Sequence, residues 1–232
     1  MDLQDVIRKG AGLLPTTAED CSKMKTRDDT IPTVDPRVDF FDGLADGWDA
    51  SEHQRDDLLE GLERRAGLLE LCSGECVLEI GCGTGQLTGW LAERVRPGRV
   101  VAIDFSPEML RVAQAKNIPA TFRLADVCQD DLGYAEFDLA FCFHSFPHFR
   151  DQPAALRNLA RCLKSGGRLI VMHLDGRDEV NTFHHGVGGS VAHDFLPDDC
   201  RWTAWLAAAG FRQPQISDTQ EGFFLRAIVD HH

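Results

Sequence analysis

Apolar residues along this chain alternate between helical spacing and short unbroken runs. Leu58, Leu59, Leu62, Ala66 and Leu69 recur at helical intervals, which predicts a helix from about His53 to Leu71. CVLEIG (76–81) is an apolar run that leads into a glycine cluster and reads as a buried strand. Leu87, Trp90, Leu91 and Val95 restore the helical period over 86–95; Pro97-Gly98 ends it, and RVVAID (99–104) is the next strand. Ser106 as N-cap, with Pro107 in the first turn, opens a helix to about Lys116. TFRLAD (121–126) and FDLAFCF (137–143) read as strands. Leu156, Leu159, Ala160 and Leu163 mark a helix closed by a Ser165-Gly166-Gly167 turn, and RLIVMH (168–173) is again a strand.

Residues 174–197 break this rhythm with glycines and histidines. A helix over 198–209 carries Trp202, Trp205, Leu206 and Ala209 on one face, and Gly210 stops it. Two closing strands follow, at 211–217 and 222–229. Strands alternating with helices predict an α/β domain whose mostly parallel sheet is covered on both faces. The last two strands are close enough in sequence to pair antiparallel. Residues 1–37 are polar, hold Pro15, Pro32 and Pro36, and read as an irregular or partly helical arm. FFDGLADGWDA (40–50) mixes aromatic and turn residues. These features divide the chain into an arm over residues 1–50, capping a site, and a main domain over 51–232.

Composition narrows the function. With 232 residues the chain can bury a substantial core as one domain, a monomer or homodimer. Its net charge of −13 argues against DNA, RNA and anionic membranes as partners. The N-terminus lacks the apolar stretch of a signal peptide, and no apolar run approaches the roughly 20 residues that span a bilayer. Eight cysteines without a C-x-x-C pair read as reduced thiols of a cytoplasmic protein. Cys142 reads as core, as do Trp202 and Trp205. His231-His232 reads as a native end or an affinity-tag remnant and carries no functional argument.

VLEIGCGTGQLT sets Gly81, Gly83 and Gly85 at the carboxyl end of the first strand. Glycine there allows a sharp turn and close approach of a ligand. The G-x-G-x-G spacing departs from the G-x-G-x-x-G of dinucleotide-binding domains. Asp104 closes the second strand, 19 residues after Gly85, where a carboxylate can accept hydrogen bonds from ribose hydroxyls.

On VLEIGCGTG, VVAIDFSPEML, LAD (124–126) and ARCLKSGGRLIV (160–171), the chain resembles the class I S-adenosylmethionine (SAM)-dependent methyltransferases from about residue 38 to 229. The resemblance implies a Rossmann-like seven-stranded sheet with helices on both faces and the last strand inserted antiparallel. It also implies SAM as cofactor. Glu79, Gly81, Cys82, Gly83 and Gly85 would lie by the methionine moiety, Asp104 on the ribose, and Phe105 and Met109 around the adenine. Asp126 would face the adenine amino group with Val127 beside it, and Phe143 would complete the cofactor side. FFDGLADGWD resembles a segment that caps the cofactor, with Phe41 and Trp48 as its contacts.

The acceptor side is expected beyond the fourth and fifth strands, where His144, His148, His173, His184, His185 and His193 gather together with Asp194. One histidine, with a reference pKa near about 6.5, can serve as general base. Alternatively His148, His173 and His184 or His185 could hold Zn2+ or another divalent metal with one open position. Such a metal would turn a thiol acceptor into its thiolate. His148, His173 and His185 are the candidate catalytic residues. The expectation is methyl transfer to a small-molecule acceptor, a thiol activated by a histidine-bound metal being preferred. Its alternatives are a metal-independent O- or N-methyltransferase with a histidine base, a non-catalytic SAM-binding protein, and a nicotinamide-dependent oxidoreductase.

Overall fold

The computed structural model describes residues 35–50 and 52–230. The expectations for residues 1–34, and for His231-His232, lie outside these described residues. Asp35 caps the first helix, α1 (Pro36–Leu44), by accepting from the Arg37 amide, with Pro36 at its start. The segment read as aromatics among turn residues is therefore largely helical, ending in a short 3-10 turn at Ala45–Gly47. The helix expected from His53 to Leu71 divides into α2 (Glu52–Arg64) and α3 (Ala66–Leu69). Arg65 leaves helical backbone between them, and Glu70, at φ 48°, turns the chain toward the first strand.

Seven strands then form one sheet: β1 (Cys76–Ile80), β2 (Arg99–Asp104), β3 (Thr121–Leu124), β4 (Phe137–Phe143), β5 (Leu163–His173), β6 (Phe211–Thr219) and β7 (Gly222–Val229). Their order is β3-β2-β1-β4-β5-β7-β6. The first five pair in parallel, while β7 lies between β5 and β6 and is antiparallel to both. The Ser165–Gly167 turn is a bulge within β5 rather than a break before it. Register jumps there from Phe137↔Leu163 to Leu139↔Arg168.

Alternation along the strands gives the sheet two apolar faces. Leu78, Ile80, Ala140, Cys142 and Val171 pack with α6 (Gln152–Cys162) and α8 (Asp199–Ala209), where Trp202 is fully buried. Val77, Leu139, Phe141, Ile170 and Met172 face Leu62 of α2, Leu69 of α3 and α4 (Thr88–Val95). Helix α5 (Pro107–Ala115) begins as expected, with the Ser106 hydroxyl accepting from the Met109 amide. Residues 174–197 hold an unexpected helix, α7 (Arg177–Val187), which carries His184 and His185. Among the described residues no helix is long and apolar enough to cross a membrane.

Strand order reverses between β1 and β4, so the connections leave their carboxyl ends in opposite directions. That divergence opens the crevice in which ligands of open α/β sheets bind.

Candidate active site

A cavity of about 430 Å³ occupies this crevice, within the range of small-molecule sites. One wall is the loop after β1. The amides of Gly81 and Cys82 both donate to the Ile103 carbonyl, and the Gly83 amide donates to Asp104 Oδ2 at 2.8 Å. Asp104 Oδ1 accepts from the Ser106 amide. Burial pushes the Asp104 carboxyl up to about 6 in spite of these hydrogen bonds.

The glycines do different work. Gly81, at φ +70°, packs so closely that a Cβ would sit 2.4 Å from that of Ser145, whose hydroxyl donates to the Ile80 carbonyl. Gly83 lies beneath the Trp48 indole and lines the cavity. Gly85 does not line it, and its α-carbon faces Ile118 and Ala113 instead.

Glu79 lies at the floor, 4% exposed, with no hydrogen-bond partner for Oε2. Burial, reinforced by the charge of Asp104 and only partly countered by Thr88, pushes its carboxyl up to about 8. A buried carboxylate oxygen without a partner, beside a glycine-walled opening, suits a ligand that brings a hydrogen-bond donor or positive charge.

Phe41, Trp48, Cys82, Phe105, Met109, Val127 and Phe143 also line the cavity. Phe41 and Trp48 are held over the loop by acids that sequence reasoning did not single out. Asp42 accepts from the Ser106 hydroxyl at 2.5 Å, and Asp49 accepts from the Thr84 hydroxyl and pairs with Lys116. Their signal was present in the alternating aromatic and acidic residues of FFDGLADGWD. Asp126 lines a neighbouring depression shared with Val127, and its carboxylate pairs with Arg150 at 3.2 Å.

The lining also brings together His144, His148, His173 and His184. His185, although adjacent to His184, is exposed and outside the lining, because successive helical residues diverge by about a quarter-turn or more. His144 Nε2 accepts from the Leu174 amide, a tie between the ends of β4 and β5. His148 Nδ1 donates to Asp194 Oδ2 at 2.7 Å, and Arg37 donates twice to Asp194 Oδ1. Burial would raise the Asp194 carboxyl, but the His148 hydrogen bond and charge, followed by Arg37, hold it below the usual carboxylate range. Arg37 belonged to no expectation, and no spacing links it to Asp194, 157 residues away.

Burial keeps the other histidines neutral, lowering His144 to about 4, His184 to about 3 and His173 well below the usual imidazole range. His173 Nε2 and His184 Nδ1 have no hydrogen-bond partner. The expected metal centre is not assembled: among the described residues, no group of three or more His, Cys, Asp or Glu is placed to hold an ion. One nitrogen of His148 is committed to Asp194 and one of His144 to Leu174, and His185 points elsewhere.

Residues 78–171 match the model of a family described as a methyltransferase domain. Over 183 residues the chain is 35% identical to the biotin biosynthesis bifunctional protein BioCD of Bordetella avium (strain 197N), covering 78% of this chain and 36% of that protein. It is 33% identical to a malonyl-[acyl-carrier protein] O-methyltransferase of Hahella chejuensis (strain KCTC 2396), covering 60% of this chain and 54% of the relative. The chain thus spans about half or less of these relatives' lengths. A SAM-dependent methyltransferase from Aquifex aeolicus superposes with a TM-score of 0.59 at 21% identity, covering 72% of this chain and 88% of that one. A chain from the complex of the Haloferax volcanii Trm112 methyltransferase activator with a methyltransferase superposes with a TM-score of 0.69 at 18% identity, covering 82% and 98%. Residues 78–171 thus carry a methyltransferase domain, and the chain has the fold of the SAM-dependent methyltransferases.

Proposed function

We propose that the protein methylates a small-molecule acceptor that carries a removable proton, with His148 as general base. One observation carries this reading: a single cavity is lined by the glycine loop and Glu79 and also by His148, whose Nδ1 is held by Asp194.

The residues present fit the cofactor. Glu79, Gly81, Gly83 and Asp104 would hold its methionine and ribose portions, and Phe41, Trp48, Phe105, Met109 and Val127 its adenine side. When bound, SAM supplies an electrophilic methyl group on a sulfonium. The protein's own part is to align the acceptor, exclude water and take up a proton. Phe41, Trp48 and the segment up to residue 50 cover the loop. With the proton of His148 held on Nδ1 by Asp194, Nε2 is left as the basic nitrogen.

The histidine-bound metal, and with it the metal-activated thiol, lose their support because no group of three or more His, Cys, Asp or Glu among the described residues is placed to hold an ion. Free cysteines throughout the described residues agree with a cytoplasmic setting. Calorimetry with S-adenosylhomocysteine, together with transfer of labelled methyl from SAM to a panel of acceptors, tests the reading. Binding with turnover is expected. Tight binding without turnover on any acceptor would establish a SAM-binding protein without catalysis, and NAD binding in place of S-adenosylhomocysteine would establish a dehydrogenase.

A further inference from the structure

The charge of the cavity wall narrows the acceptor, on the premise of the methyltransferase reading above. Among the described residues the lining includes five acidic side chains, Glu79 and Asp104 on the cofactor side and Asp57, Asp175 and Glu179 beyond them, and neither lysine nor arginine. Arg37 is engaged by Asp194 and Asp35, and Arg150 by Asp126. A carboxylate or phosphate in the acceptor position would lie near Asp57, Asp175 and Glu179, with no lysine or arginine among the described lining residues to meet it.

Uncharged polar groups are served better. His173 and His184 are 2% and 6% exposed, both line the cavity, and each has one ring nitrogen without a partner. Kept neutral by burial, they offer hydrogen bonds but no charge. Phe143, Phe149 and Phe183 supply aromatic faces on the same side of the cavity. The base is an imidazole, which is matched to a hydroxyl of moderate acidity. A phenol, with a pKa of about 10, lies within reach of such a base, whereas an aliphatic alcohol lies far above it.

We propose that the acceptor is an uncharged phenol, its ring set among the phenylalanines and its hydroxyl at His148, with His173 and His184 able to bind a second polar substituent where the phenol carries one. The phenol oxygen forms a bond to the methyl carbon as the carbon–sulfur bond breaks and leaves its electron pair on sulfur. The phenolic proton passes to His148 Nε2. Aryl methyl ether, S-adenosylhomocysteine and imidazolium account for every atom and for the single positive charge.

The test uses the full chain saturated with S-adenosylhomocysteine and titrated calorimetrically with para-ethylphenol, para-ethylbenzoate and phenethyl alcohol. Labelled SAM follows methyl transfer to the same three compounds. Para-ethylphenol should bind at least about tenfold more tightly than the benzoate and be the compound methylated, on oxygen. Equal or tighter binding of the benzoate, or methylation of the carboxylate or the alcohol in preference to the phenol, would overturn the proposal. Failure of S-adenosylhomocysteine itself to bind would instead remove the methyltransferase reading. Glu179→Arg changes charge at an exposed lining position and should narrow the phenol-over-benzoate ratio. An unchanged ratio would count against charge as the basis of selection.

Discussion

His148 Nδ1 lies 2.7 Å from Asp194 Oδ2, a contact between residues 46 apart in the chain that fixes which imidazole nitrogen keeps its proton. Arg37 holds the other oxygen of Asp194, so the carboxylate cannot rotate away from the ring without breaking an ion pair.

Asp194→Asn should therefore lower kcat by about 10²–10⁴-fold, the range typical of general-base catalysis, because an amide can donate to Nδ1 and favour the wrong tautomer. S-adenosylhomocysteine affinity should be unchanged. His148→Ala should cost at least as much. Full kcat in the Asn variant would remove the pair from the mechanism.

Glu79 makes stability depend on pH in an unusual direction. Its folded pKa of about 8 lies above the reference near 4.3, so its contribution is fully present below the unfolded value and is lost as pH rises toward 8. Relative to wild type, Glu79→Gln should gain about 1 kcal/mol per pH unit between roughly pH 5 and pH 8, read as a widening gap of a few degrees in Tm. A gap that stays constant over that window would show that Glu79 ionises like an exposed carboxyl.

Gly81→Ala should destabilise the protein by about 1–3 kcal/mol and weaken S-adenosylhomocysteine binding. Positive φ and a Cβ 2.4 Å from that of Ser145 act together there. Gly43→Ala is the control, since nothing lies within 4 Å of its added carbon, and its Tm should not fall. Comparable losses in both variants would remove the steric argument.

Methyl transfer should survive metal stripping. After dialysis against chelator, kcat is expected to match the untreated enzyme, with elemental analysis reporting less than about one equivalent of transition metal. Loss of activity that Zn2+ restores would reinstate the metal-bound thiol.

The strands were legible because strands buried on both faces are mostly apolar, and VLEI, RVVAI and RLIVM are short apolar runs bounded by turn signals. The glycine loop and Asp104 were legible because backbone conformation and ligand approach constrain short segments directly. Helix α7 was not: Asp178, Glu179, Asn181, His184, His185 and Gly186 dilute its apolar stripe, and tertiary contacts of Val180 and Val187 override that weak pattern. The Arg37–Asp194–His148 arrangement was half legible. Its histidine stood out, but its acid and arginine meet only when α1 folds across the far end of the chain.

Strand β7 sits between β5 and β6, and its Phe223 is paired with His173. The end of β5 that carries His173 is consequently the last part of the sheet to gain its neighbour during synthesis. A chain ending near residue 219 would have every strand but the one that joins β6 to the rest, and would leave the edge of β5 unpaired. Such a species offers an open strand to other chains and is a candidate for aggregation. Active-site completion and protection of that edge are thus achieved by the same eight residues, Gly222–Val229.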